Sequence, residues 1–164
     1  MYQWVVFAHV LGIFGFLLAH GAAAAVSFKL RGEREVPRVL AMLDLSRAAS
    51  ATGSVSLLVL LAAGIIAGFM GSWWGQGWIW ASLILFIAMG IAMTAVGSRP
   101  LNRIRGLLQP GASPRAKPAV QPSAEVAFDQ QLAVMLAGIH PWLLTVVGGG
   151  GLVVILWLMM LKPF

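Results

Sequence analysis

Residues 4–28 read WVVFAHVLGIFGFLLAHGAAAAVSF, an apolar run without a formal charge. At about 1.5 Å per residue a helix of this length exceeds the roughly 30 Å hydrocarbon core of a bilayer, so the run predicts a transmembrane helix. Its only ionisable side chains are His9 and His20. Eleven residues at about 100° each leave them roughly 20° apart around the axis and about 16 Å apart along it. They share one face. Ionisable groups inside a membrane are costly, which makes both histidines candidate functional residues.

The remainder of the chain has the same character. Of 164 residues, 60% are apolar and 10% charged, whereas soluble domains average about 45–50% and 25%. An all-α integral membrane four-helix bundle is expected, with 1–164 forming a single membrane domain. The chain has no Cys, which removes disulfides, thiol chemistry and iron–sulfur ligation. The net charge of +6 is confined to loops and reads as membrane orientation, with no nucleic-acid partner implied. A cleaved signal peptide competes for the N-terminus, but Met1-Tyr2-Gln3 carries no Lys or Arg and the run exceeds a typical signal core. A retained helix is expected.

Four spans follow, at about 4–28, 55–71, 78–97 and 141–161, with loops at 29–54 and 98–140. In the first loop Lys29, Arg31, Arg34, Arg38 and Arg47 face Glu33, Glu35 and Asp44. After Pro37, a natural first-turn residue, Val39, Leu40 and Leu43 recur at helical spacing and predict a short interfacial helix. In the second loop Arg99, Arg103, Arg105, Arg115 and Lys117 accompany Pro110, Pro114, Pro118 and Pro122. That composition predicts an exposed, extended segment. Ser123 then opens a surface helix bearing Val126, Phe128, Leu132, Met135 and Leu136, which leads to His140-Pro141-Trp142. Between spans two and three, Trp73, Trp74, Trp78 and Trp80 form an expected interfacial belt around a tight hairpin. Only Lys162 among the Lys and Arg residues lies outside the two long loops. The positive-inside rule therefore puts both loops in the cytoplasm of a bacterial inner membrane, with N- and C-termini on the outer side.

In that topology His20 and His140 fall at similar depth, the requirement for two axial ligands of a haem b or two metal ligands. His9 stands alone in the other half. The bland alternative is that each histidine hydrogen-bonds across helices or reaches the headgroups. Met89 and Met93 share a helical face at i, i+4, and their thioethers suit Cu(I), although Met is also an ordinary gap-filler. Gly64 and Gly68 make a GxxxG spacing suited to helix packing. Gly148, Gly149, Gly150 and Gly151 leave span four without side chains, for a packed helix or a flat cofactor. No carboxylate lies in a span, and no catalytic triad, phosphate loop or zinc spacing is present. No catalytic residue is assigned.

The segment Trp4-Val-Val-Phe-Ala-His9-Val-Leu-Gly12, the charged turn after span one, the Trp-rich hairpin and the closing Leu-Met-Met-Leu-Lys162-Pro163 resemble a family of bacterial integral membrane proteins of unknown function. That family is similar to the copper-resistance D-like proteins. The pattern is distantly similar to the four-helix membrane protoporphyrinogen oxidase type, which carries haem b. Its first-span histidine would fall on His9, while the basic partner of the haem expected within a later span has no counterpart here.

Three functions are thus expected, in order. The first is a non-catalytic accessory subunit that packs against other membrane subunits or a second copy, with Gly64 and Gly68 facing that partner. The second is a haem b electron-transfer protein using His9, or His20 with His140. The third is a copper-handling protein using Met89, Met93 and a histidine.

Overall fold

The computed structural model describes the backbone of residues 1–108 and 122–163, and side chains there except those of 122–126. Pro110, Pro114, Arg115, Lys117, Pro118 and Phe164 lie outside the described residues, as do the side chains of Pro122, Ser123 and Val126. Among the described residues there are helices and turns and no strand.

Helix α1 spans Tyr2–Leu30 and α2 spans Val36–Met70. A 3₁₀ turn at Trp73–Gly75 leads to α3, Gly77–Met93, then a π-helical turn at Thr94–Ser98 and α4, Arg99–Leu108. Helix α5 is Pro122–Ala137. Helix α6, Pro141–Thr145, passes through a second π turn at Val146–Gly150 into α7, Gly151–Leu161. The result is four helical rods long and apolar enough to cross a membrane.

Each π turn has a local cause. Pro100 follows the first; its ring removes a backbone donor and crowds the preceding turn, and a widened turn absorbs both. The second coincides with the run of glycines, the weakest helix formers after proline.

The rods are joined by close backbone approach. A Cβ on Gly12 would sit 3.1 Å from the Leu60 nitrogen and the Ser56 carbonyl, and one on Gly15 would sit 2.5 Å from Ser56 Oγ. Helices α1 and α2 therefore touch where those side chains are missing. In lipid, where apolar surface has no reason to leave its solvent, such contact is what drives association.

The two ends differ. At one end Tyr2 meets Trp73 edge-on at 6.2 Å, Trp74 meets Trp80 at 5.5 Å, and the Lys162 ammonium lies 4.8 Å from the Trp73 ring. The N-terminus, the hairpin and the end of α7 thus meet, and the expected Trp cluster is present. At the other end Arg105 donates to the Leu43 carbonyl and lies 3.5 Å from Asp44. In the α1–α2 turn, the Glu35 and Arg34 backbone N–H groups donate to the Glu33 carboxylate and hold its pKa below the ordinary range.

The basic end is more folded than expected. The interfacial helix predicted after Pro37 is not separate: α2 runs unbroken through it, with Val39 and Leu43 buried as their spacing implied. Residues 99–108 are helical rather than extended, since Leu101, Ile104 and Leu108 fall on one face. Helix α5 turns one face inward: Leu132 and Leu136 are buried with Ile139 in a cluster with residues of α1, α2 and α4, while Val134 is exposed. The ends of four rods thereby close a small apolar cap beyond Lys29, Arg47 and Arg99.

Candidate functional site

Two cavities lie one above the other where α1, α2, α3 and the α6–α7 rod converge, with the Phe16–Met89–Ile155 cluster between them. The Trp-end cavity is about 270 Å³, near the lower bound of ordinary ligand pockets. Leucine, isoleucine and aromatic side chains form most of its wall, and Tyr2, His9 and Lys162 are its ionisable groups.

His9 is held by α2. Its Nδ1 lies 2.9 Å from the Leu60 carbonyl oxygen, and its ring edge packs on Gly64, whose added Cβ would be 3.1 Å from Cε1. A carbonyl accepts and never donates, so Nδ1 carries a proton, and in the neutral imidazole Nε2 is the nitrogen that keeps a lone pair. A histidine fixed through Nδ1 with Nε2 left over is the arrangement of a metal-bound imidazole. Met159 lines the same cavity with a thioether.

The glycines expected to face a partner are used here. Gly64 makes room for His9, and Gly68 for Trp74 and Ile79, each 3.3 Å from an added Cβ. The stripe therefore seals the bundle instead of pointing outward. A partner helix cannot use a surface that a ring already covers.

The basic-end cavity, about 130 Å³, is lined by His20, Met89, Met93 and a set of hydroxyls. His20 stacks on Phe16 at 5.7 Å with 11° between planes, and its ring lies against Gly148. Both ring nitrogens are buried without a partner, at about 1–3 kcal/mol for each such group. Gly151, on the next turn of the same face, packs on Met89, whereas Gly149 and Gly150 face open space. The flat group against the bare backbone of span four is thus the His20 ring itself, and two of the four glycines do the packing.

The expected pairing of His20 with His140 is not formed. Phe28 meets Trp142 edge-on at 5.4 Å while His20 meets Gly148. His140 precedes Gly148 by eight residues, which places it about 12 Å further along the rod. It is exposed, with Nδ1 donating to the Gly138 carbonyl at 2.6 Å. Depth counted from the span ends brings the two level, but the rods overlap with a different offset. Met89, Met93 and a histidine do come together, and that histidine is His20.

Several site groups went unread in the sequence. The Leu60 carbonyl carries no sequence signal, and Lys162 stands out in the sequence only as the basic residue outside the two long loops. The hydroxyls did carry one, since Ser46, Ser50 and Ser54 recur every four residues, as do Thr94 and Ser98.

No protein-family model, no curated protein and no solved structure matches the chain.

Proposed function

We propose that the protein is a multi-pass protein of a bacterial inner membrane that binds an apolar ligand of the haem b type at His9. Both termini lie on the outer side in this reading. The observation that carries it is the His9 imidazole, tied to Leu60 through Nδ1 with Nε2 left for an apolar cavity. His9 would hold the iron, and bound haem would supply one-electron redox chemistry; Met159 lines the same cavity. The chain's own part is to fix the imidazole, exclude water with the Trp-end wall, and set Lys162 over Trp73 and Trp78 at the mouth.

The expected result is a Soret band in protein purified under haem-replete conditions. His9→Ala should abolish the band, and His20→Ala and His140→Ala should spare it. A colourless preparation overturns the reading.

A second reading has its own observation. Met89, Met93 and His20 share one cavity, and thioether with imidazole is a Cu(I) donor set. Copper bound by the native chain and lost in His20→Ala and Met89→Leu would select it. The accessory-subunit reading, expected first, keeps less support. Its glycine stripe is consumed inside the bundle, and an apolar outer surface is what lipid alone requires. Protein that holds neither haem nor copper returns the choice to it.

Topology is tested separately. Arg34→Cys and Arg103→Cys should resist an impermeant thiol reagent in intact cells, and Gln76→Cys should react, all three positions being exposed. The reverse pattern refutes outer termini.

A further inference from the structure

The basic-end cavity is closed at its top and open at its side. Ser27, Ser46 and Leu101 of its lining are buried beneath the cap, whereas Ser50, Ser54 and Thr94 are exposed partway down the rods. The opening lies between α2 and α3. At the cap Arg105 of α4 donates to the Leu43 carbonyl of α2, and at the far end the two rods rejoin through the Trp73–Gly75 turn. Between these points α2 packs on α1 and α3 on α7, and the two part from each other. In a bilayer that side faces lipid.

The hydroxyls around the opening divide by depth. Ser54 donates to the Ser50 carbonyl and Thr94 to the Gly90 carbonyl, both at 2.9 Å, so each spends its hydrogen on its own helix. The Ser50 and Ser98 hydroxyls donate to nothing among the described residues. Arg47 and Arg99 mark the charged level, both exposed and, among the described residues, without an ion pair. Ser50 and Ser98 lie within about 5 Å of that level, at a rise of about 1.5 Å per residue. The polar interface of a bilayer is roughly 5–7 Å deep on each side of its hydrocarbon core. Ser54 and Thr94 lie about 7–10 Å inward and so reach the hydrocarbon. The unspent donors thus stand where lipid esters offer carbonyl acceptors, and the spent ones stand where nothing is left to bond.

Charge and shape agree with that division. Spacings of three and seven residues return within about 60° of the start, so Arg47, Ser50 and Ser54 share one face of α2. Asp44, the nearby carboxylate, is taken by Arg105 at 3.5 Å. Below the hydroxyls the lining turns apolar through Met93, Leu57 and Met89, and a Cβ on Gly90 would meet nothing within 4 Å. We propose that the opening holds one anionic phospholipid of the basic-end leaflet. Its phosphate lies on Arg47, its ester carbonyls accept from Ser50 and Ser98, and one acyl chain descends between α2 and α3 towards Leu57. Arg99 and Arg103, also exposed, attract a net negative headgroup and repel the ammonium of a zwitterionic one. His20 takes no part. The site depends neither on which side of the membrane the basic end faces nor on haem at His9.

The cysteine-free chain accepts a single reporter. A fluorophore is attached at Leu58→Cys, exposed on α2 one turn below Ser54. In a second protein it is attached at Phe14→Cys, exposed on α1 at the same depth, since Gly12 faces Leu60 and Gly15 faces Ser56. Both are placed in phosphatidylcholine bilayers into which phosphatidylglycerol with brominated, quenching chains is titrated. Quenching at Leu58 should be half-complete at a mole fraction about fivefold or more below that at Phe14, where it should follow the bulk lipid. Arg47→Gln should remove about fivefold of that preference, and so should Ser50→Ala with Ser98→Ala. Unchanged melting midpoints show that these substitutions leave the fold intact. Equal quenching at the two positions, or a preference that survives both variants, refutes the site. A Leu58 reporter that no brominated lipid reaches means that another molecule covers the opening, which also refutes it.

Discussion

Leu136→Ala should lower the stability of the purified protein by about 2–5 kcal/mol, the range for truncating a buried leucine and leaving a cavity. Leu136 is 0% exposed and packs with Leu30, Val39, Leu43, Leu101 and Ile104 in the cap. In the proposed topology that cap lies past the charged level of Lys29, Arg47 and Arg99, where the unfolded alternative for a leucine is water. The full hydrophobic term therefore applies. Leu156→Ala provides the contrast. Leu156 is half exposed on α7, in a segment whose outer face meets lipid, and lipid tails are as apolar as leucine. Its substitution should cost no more than about 0.5 kcal/mol. Denaturant titration in one detergent measures both. Equal losses at the two positions would mean that the cap core is not formed.

Gly148→Ala should also destabilise, although alanine is the better helix former by about 1 kcal/mol. An added Cβ would lie 2.6 Å from His20 Nε2 and nearer still to Cε1. The ring is also confined by Phe16, which stacks on it at 5.7 Å. Overpacking of this kind costs about 1–3 kcal/mol, or roughly 2–12 °C in a melting midpoint at this chain length. Gly149→Ala should do the opposite, raising stability by about 0.4–1 kcal/mol, because nothing lies within 4 Å of its Cβ. Removing the ring in His20→Ala should cancel the penalty at Gly148, a coupling that a double-mutant cycle reads directly. A stabilised Gly148→Ala protein would show that His20 does not pack there.

Parts of the site were legible and parts were not, for specific reasons. His9 and His20 stand out because a charge-bearing ring is rare in a 25-residue apolar run. Met89 and Met93 stand out by their spacing. That Met89 and Met93 join His20, and that His140 does not, depends on how α1, α3 and the last rod are offset. No local pattern encodes an offset. Gly64 and Gly68 were legible as packing residues, yet which neighbour they receive was not, because a GxxxG spacing describes a smooth surface and not its partner. Here the occupants are the His9 ring, Trp74 and Ile79.

By itself the sequence determined that the chain is helical and membrane-spanning. Run length and charge placement are local quantities, and a bilayer converts them directly into four spans with their basic loops at one end. It also indicated the Trp cluster, since a connection of six residues between two spans holds its tryptophans close together. Only the tertiary structure decided that the loop helices continue the spans and close a cap, because burial of Val39, Leu43, Ile104 and Leu136 needs four segments at once. Only it decided which nitrogen of His9 is left over, because the group that claims the other is a backbone carbonyl fifty-one residues away. And only it separated an apolar cavity from a hydroxyl-lined one, since each wall is assembled from several helices whose faces meet only when the bundle is packed.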